Sequence, residues 1–324
     1  RLEVGMRWER NGRSENLEDR RGEHDGGLRG GLPGGLDGPR IGVPIPRGRG
    51  GRFSLTGLLV LLLVMWFLGI DPLALLGGAG LEAGGDPTAT TGVGGAGYET
   101  DDGAIAGSGR SAPPSDATPD EERQVDFVSF VLDDLQTTWA GLLPGYRDAK
   151  LVLFRDATRS ACGVGQREMG PFYCPADEKV YIDLAFYDEL QRRFGAPGDF
   201  AQAYVLAHEI GHHVQALRGL ERRVRDAQQR RPDEANALSV RLELQADCLA
   251  GVWGNQAGRR DVLEPGDIEE GLRAAAAIGD DRLQRMSGSG VHPESFTHGS
   301  SADRVNAFRR GMQGGTLEAC GITR

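Results

Sequence analysis

Two histidines four residues apart, with a glutamate between them, are the residues best placed to do chemistry: His208-Glu209-Ile210-Gly211-His212. On a helix, positions i and i+4 lie on one face, so both imidazoles can reach the same tetrahedral zinc ion. Glu209 beside them can hold a water at that metal and take its proton. A helix is what the surroundings predict, because Phe200, Ala201, Tyr204, Val205, Ala207 and Ile210 form an apolar stripe of helical period. Gly211 is the small residue within the motif and would let another element approach closely. The chain has only six histidines in 324 residues, which makes a chance match in a helical context rare.

Two imidazoles do not complete a site, so a third ligand is needed. The metzincin extension is excluded, because Gln215 and Arg218 stand where it requires Gly and His. Glu243-Leu244-Gln245-Ala246-Asp247 is the better source. Glu243 and Asp247 share a helix face; Glu243 would be the third ligand, leaving one position open for water. Asp247, one turn on, would accept a hydrogen bond from the non-ligating nitrogen of His208 and fix its tautomer. The alternative is two solvent-facing acids on a charged helix. Glu234 and His213 are weaker ligand candidates, and His213 points well round the helix from His212, as a polar surface residue would.

The elements that must position these groups can be traced along the chain. Thr118-Pro119-Asp120-Glu121 reads as a capping box with Pro at the first helical position, followed by the amphipathic pattern Val125, Phe127, Val128, Val131, Leu132, Leu135, Trp139. Short strands are expected at 151–154 and 180–182. The metal-motif helix runs from near Asp199 to Gly219, and the helix with Glu243 from about 232 to 258. Further helices are expected at 267–285 and 301–312. The fold class is α+β, mostly helical with a small sheet. Of four cysteines, Cys162 and Cys174 close a short Gly-rich loop and are paired, which leaves Cys248 with Cys320. No Cys-x-x-Cys is present to suggest a thiolate metal site.

Ahead of this domain the composition changes. Most of the 50 glycines precede residue 120, so that third of the chain is unsuited to a packed core. Residues 1–52 read as a basic, disordered cytoplasmic segment. Residues 53–76 contain an uncharged run, FSLTGLLVLLLVMWFLGI, about long enough to span a bilayer. We read it as a single transmembrane signal anchor; a buried helix should show a polar face, and a cleaved signal peptide should have a shorter basic region. Arg47, Arg49 and Arg52 precede it and the next basic residue is Arg110, which puts the N-terminus in the cytoplasm and the remainder outside the cytoplasmic membrane. Disulfides persist on that side. Residues 77–118 read as a flexible Gly/Ala/Thr/Pro tether, and 119–324 as the catalytic domain. The net charge of −10 and the lack of a basic stripe argue against nucleic acid.

HEIGHH at 208–213, ELQADCLAGVWG at 243–254, GPFYCPADEKVYIDLAFY at 170–187 and FTHGSSADRVNAFRRG at 296–311 together resemble the bacterial neutral zinc metallopeptidase family, and more distantly the gluzincin peptidases. MRWERNGRSENLEDRRG at 6–22 is similar to the family's start and suggests Met6 as initiator. The resemblance implies a zincin-like domain with one Zn(2+) per chain, hydrolysing peptide or protein substrates with Glu209 as general base. In gluzincins an edge strand beside the active-site helix binds extended peptide; Val180, Tyr181, Ile182 and Asp183 are expected to be that strand, with Tyr181 and Tyr173 lining the cleft or filling its wall. His298 and Arg304 stand where related peptidases carry a His and then an Arg, one of which would steady the oxyanion; a structural ion pair is the other reading of Arg304. Two alternatives remain: a tethered binding protein with a non-catalytic zinc, and a zinc hydrolase of a non-peptide envelope substrate.

Overall fold

The computed structural model describes residues 5–9, 12–23, 114, 116–288 and 290–323. The expected anchor at 53–76 and most of the tether lie outside the described residues, and no described helix is long and apolar enough to cross a membrane. All described residues belong to one unit of the chain, 1–30 together with 106–324.

In chain order the elements are β1 (Leu17–Asp19), α1 (Pro119–Leu142), β2 (Lys150–Phe154), β3 (Ala157–Ser160), β4 (Gly163–Gln166), β5 (Phe172–Cys174), β6 (Lys179–Asp183), α2 (Ala185–Arg192), α3 (Asp199–Leu217), α4 (Leu220–Arg230), α5 (Ala235–Arg259), α6 (Asp267–Ala277), α7 (Asp280–Met286) and α8 (Ser301–Gly314). Helix α1 begins as its capping box dictates: Thr118 Oγ1 accepts the Glu121 N–H at 3.2 Å. Its face of Val125, Val131, Leu132, Leu135 and Trp139 is wholly buried, each large side chain contributing about 1.5–3 kcal/mol. That face looks onto α3 and the sheet, whose order is β1-β2-β6-β5. β1, β2 and β6 run parallel; β5 is antiparallel to β6 and forms one edge. β3 and β4 make a separate hairpin.

The core helices are α3, α5 and α8. Phe200 of α3 stacks on Trp253 of α5, with ring centroids 5.6 Å apart. Helices α5 and α8 touch backbone to backbone: a Cβ on Gly251 would sit 2.1 Å from the Phe308 carbonyl oxygen, and one on Gly311 1.9 Å from that of Cys248. Both expected disulfides are formed, Cys162–Cys174 and Cys248–Cys320.

The mostly helical class with a small sheet is as expected, but four particulars differ. Helices α2 and α4 were not anticipated; α4, LERRVRDAQQR, buries no residue, and its apolar stripe of Leu220, Val224 and Ala227 is sparse among charged neighbours. The helix expected over 267–285 is two, interrupted at Ile278 and Gly279, where a Cβ on Gly279 would lie 2.4 Å from the Ser301 nitrogen. The strand with Val180, Tyr181, Ile182 and Asp183 is interior, with β2 on one side and β5 on the other. Residues 5–9 and 12–23, expected within a separate disordered segment, are instead an arm of the domain. β1 pairs with β2 in the register Leu17↔Leu151, Met6 enters the core, and Trp8 packs edge-on to Phe127 at 5.5 Å. Arg21 is wholly buried against Asp19 at 2.6 Å, Glu122 at 2.7 Å and Glu121 at 3.1 Å.

Candidate active site

Helix α3 places His208, Glu209 and His212 on the wall of a cleft of about 700 Å³. It can lie close to α5 because of Gly211, where a Cβ would be 3.0 Å from the Ala246 carbonyl oxygen. That approach brings Glu243 across to the histidines. His208 Nε2 is 3.2 Å from Glu243 Oε2, and His212 Nε2 is 3.6 Å from Glu243 Oε1. A tetrahedral zinc with ligand bonds of about 2.0–2.1 Å separates its donors by roughly 3.3–3.4 Å; the two carboxylate–imidazole spacings lie on either side of that value, and the three ligand atoms lie within 4.8 Å of one another, so the donor set suits zinc. Glu209 is buried at the cleft wall beside them.

The outer faces of these ligands are held as well. His208 Nδ1 is 2.8 Å from Asp247 Oδ1, the contact expected from the spacing in α5. Asp247 is fully buried and also accepts the Tyr204 hydroxyl and two donors of Arg304, Nε at 2.9 Å and Nη2 at 2.8 Å. Burial alone would raise the Asp247 carboxyl, but Arg304 and His208 outweigh it and hold it at about 2. Asp247 is therefore an anion that requires His208 to donate from Nδ1, leaving Nε2 as the ligating nitrogen. Burial also opposes the charged forms of His212 and Glu243, yet their mutual attraction wins: His212 is raised to about 10 and Glu243 is held well below the usual range.

Arg304 is thus committed to Asp247 and 2% exposed, the ion-pair role rather than that of an oxyanion ligand. His298 is different. Its side chain is half exposed at the cleft, and its Nδ1 lies 3.1 Å from Asp280 Oδ1. Asp280 Oδ2 accepts the backbone N–H groups of Thr297, His298 and Gly299 at 2.7, 2.7 and 3.0 Å. The break between α6 and α7 puts Asp280 at the start of a helix, where its carboxylate can turn onto this loop. Sequence reasoning missed Asp280, whose only local signal was Gly279 before it.

Other expectations move. His213 is not a surface residue but fully buried, 2.9 Å from the Tyr173 hydroxyl and 2.6 Å from the Arg147 carbonyl oxygen. Glu234 pairs with Arg231 and stands outside the ligand cluster. Val180, Tyr181 and Ile182 are at most 1% exposed, and Asp183 accepts from Asp156 N, Arg167 Nε and Ala185 N, so none offers a free edge. The strand that borders the cleft is β5, with Phe172 and Tyr173. Tyr173 lines the cleft as expected; Tyr181 instead stacks on Phe172 behind it, centroids 4.9 Å apart.

A family model described as "Putative neutral zinc metallopeptidase" matches residues 6–322. The uncharacterized protein YpfJ of Escherichia coli K12 is 42% identical over 323 residues, covering 97% of this chain and 98% of that protein. The uncharacterized protein Mb2605 of Mycobacterium bovis is 41% identical over 199 residues, 58% of this chain and 67% of that one. No solved structure matches.

Proposed function

The chain belongs to the neutral zinc metallopeptidase family, and from that premise we propose that it hydrolyses peptide bonds in extended segments of protein substrate. The observation that carries this reading is the donor trio of His208, His212 and Glu243 with Glu209 beside it in one open cleft. Zinc held there would supply an acidified water and polarise the scissile carbonyl. Glu209 takes the water's proton as general base and then delivers it to the leaving amine. His298, oriented by Asp280, presents its other nitrogen at the cleft, where it steadies the developing oxyanion. The substrate backbone adds along the outer edge of β5, antiparallel to β6 in the sheet, and apolar walls at Phe186, Phe194 and Leu283 receive its side chains.

Membrane attachment through 53–76, in molecules whose arm at 5–23 is undocked from β2, and an extracytoplasmic setting belong to the same reading. They rest on the apolar run and on two disulfides, which persist in oxidising compartments.

The test is metal content and proteolysis of an unfolded substrate such as casein, measured on purified protein. One zinc per chain is expected, with cleavage that Glu209→Gln removes while retaining the metal. Zinc content unchanged after removal of both His208 and His212 would overturn the site. Zinc-replete protein inert towards unfolded proteins and peptides would overturn the peptidase reading.

A further inference from the structure

The two zinc-side histidines are held from behind by different partners. His208 rests on an anion, Asp247, as the sequence led us to expect. His212 rests on Gln215, one turn further along α3, with Nδ1 and Oε1 2.9 Å apart. In the sequence Gln215 served only to exclude a metzincin. It is fully buried, and its amide orientation is fixed by its other contacts. Nε2 lies 2.7 Å from the Leu242 carbonyl oxygen and 3.1 Å from Gln245 Oε1, both acceptors, so the NH₂ must face them. Oε1 is then left to face His212. As an acceptor it requires a proton on Nδ1, which frees Nε2 for metal.

Gln245 is itself anchored. Its Nε2 donates to the Cys320 carbonyl oxygen at 2.9 Å, and Cys320 is bonded to Cys248 on α5. The path is continuous: Cys320 C=O, Gln245, Gln215, His212. We propose that Gln215 and Gln245 form a hydrogen-bonded relay that positions His212 for metal, anchored on the C-terminal turn that Cys248–Cys320 ties to α5. The inference rests on the zinc reading of the site. Gln215 and Gln245 are positioning residues, acting through His212. Their amides also polarise one another in series, so the bond to His212 is stronger with Gln245 in place than without it.

The experiment uses the full-length chain, stripped of metal and titrated with Co(2+), whose visible absorption reports the ligand field. Wild type is expected to bind one Co(2+) with the spectrum of a tetrahedral site; if it binds none, the metal reading fails, and the relay is not what failed. Given wild-type binding, Gln215→Leu should weaken Co(2+) affinity by about 10–100-fold and shift the band. Gln245→Leu should weaken it several-fold in the wild-type background and have no further effect in the Gln215→Leu background. Wild-type affinity and spectrum in folded Gln215→Leu would overturn the proposal, as would a Gln245→Leu effect that persists undiminished without Gln215. Should Gln215→Leu not fold, the partly exposed Gln245 carries the test alone: an unchanged spectrum and affinity in Gln245→Leu overturns the relay.

Discussion

Among the described residues stand two groups of three potential metal ligands, and they are built differently. His208, His212 and Glu243 have their ligand atoms within 4.8 Å of one another, and so do Asp199, Asp267 and Glu270. In the first, the groups carry opposite charges, and Asp247, Arg304 and Gln215 hold the two imidazoles from behind. In the second, three carboxylates face each other. Met6 N–H donates to Asp199 and Glu264 N–H to Asp267, but Asp199 Oδ1 and Glu270 Oε2 are buried without a hydrogen-bond partner. Burial first, and then mutual repulsion, raises Asp267 to about 6 and Glu270 to about 7. Proximity of ligand atoms is shared by both trios; a surrounding shell that fixes orientation and charge belongs to one. Such a shell is what a catalytic metal site requires beyond a cluster of ligands.

The contrast can be broken most decisively by metal counting. His208→Ala with His212→Ala should abolish zinc binding, whereas Asp199→Asn with Asp267→Asn should leave one zinc per chain; loss of zinc from the second pair of changes would erase the distinction. Next in size is Glu209→Gln, expected to reduce turnover by about 10²–10⁴-fold with metal retained, as measured by zinc analysis beside the rate. Replacing Asp247 by Asn removes the anion behind His208 and should weaken metal affinity by about 10–100-fold, read by competition with a chelator. The smallest effect concerns the acidic trio. Asp267 and Glu270 have folded-state values above their ordinary ones, so their contribution favours the fold below about pH 4 and is lost as pH rises through 6 and 7. Asp267→Asn with Glu270→Gln should therefore raise the melting temperature more at pH 8 than at pH 5. Equal shifts at the two values would mean that the trio is not strained by ionisation.

The same contrast explains what the sequence disclosed. His208, Glu209, His212, Glu243 and Asp247 were legible because each spacing of four lies within one helix, where separation along the chain fixes separation in space. Helix α1 announced itself through Thr118 and Pro119, and two of the four cysteines lay close enough together to settle both disulfides. What escaped depends on contacts between distant segments. Asp280 reaches a loop 17 to 19 residues away only because the helix breaks at Gly279. Gln215 meets Gln245 only because Gly211 lets α3 and α5 close. The resemblance to gluzincins cast β6 as an edge strand, and nothing in its five residues says that β2 and β5 flank it. β1 is three residues of LED, too short to show a period, and its partner lies well over a hundred residues onward.

That strand has a consequence for the whole chain. The apolar run at 53–76 lies between β1 and β2 in sequence, yet Leu17 pairs with Leu151 and Arg21 is buried against Glu121 and Glu122. A thread tied at two points to the same bead must leave any sheet of lipid by the face through which it entered. The run has residues for about one crossing and not for two. Docking of the arm and a single passage through a bilayer are therefore mutually exclusive within one molecule, and wherever the arm is docked, it shares a compartment with the cleft of His208, His212 and Glu243.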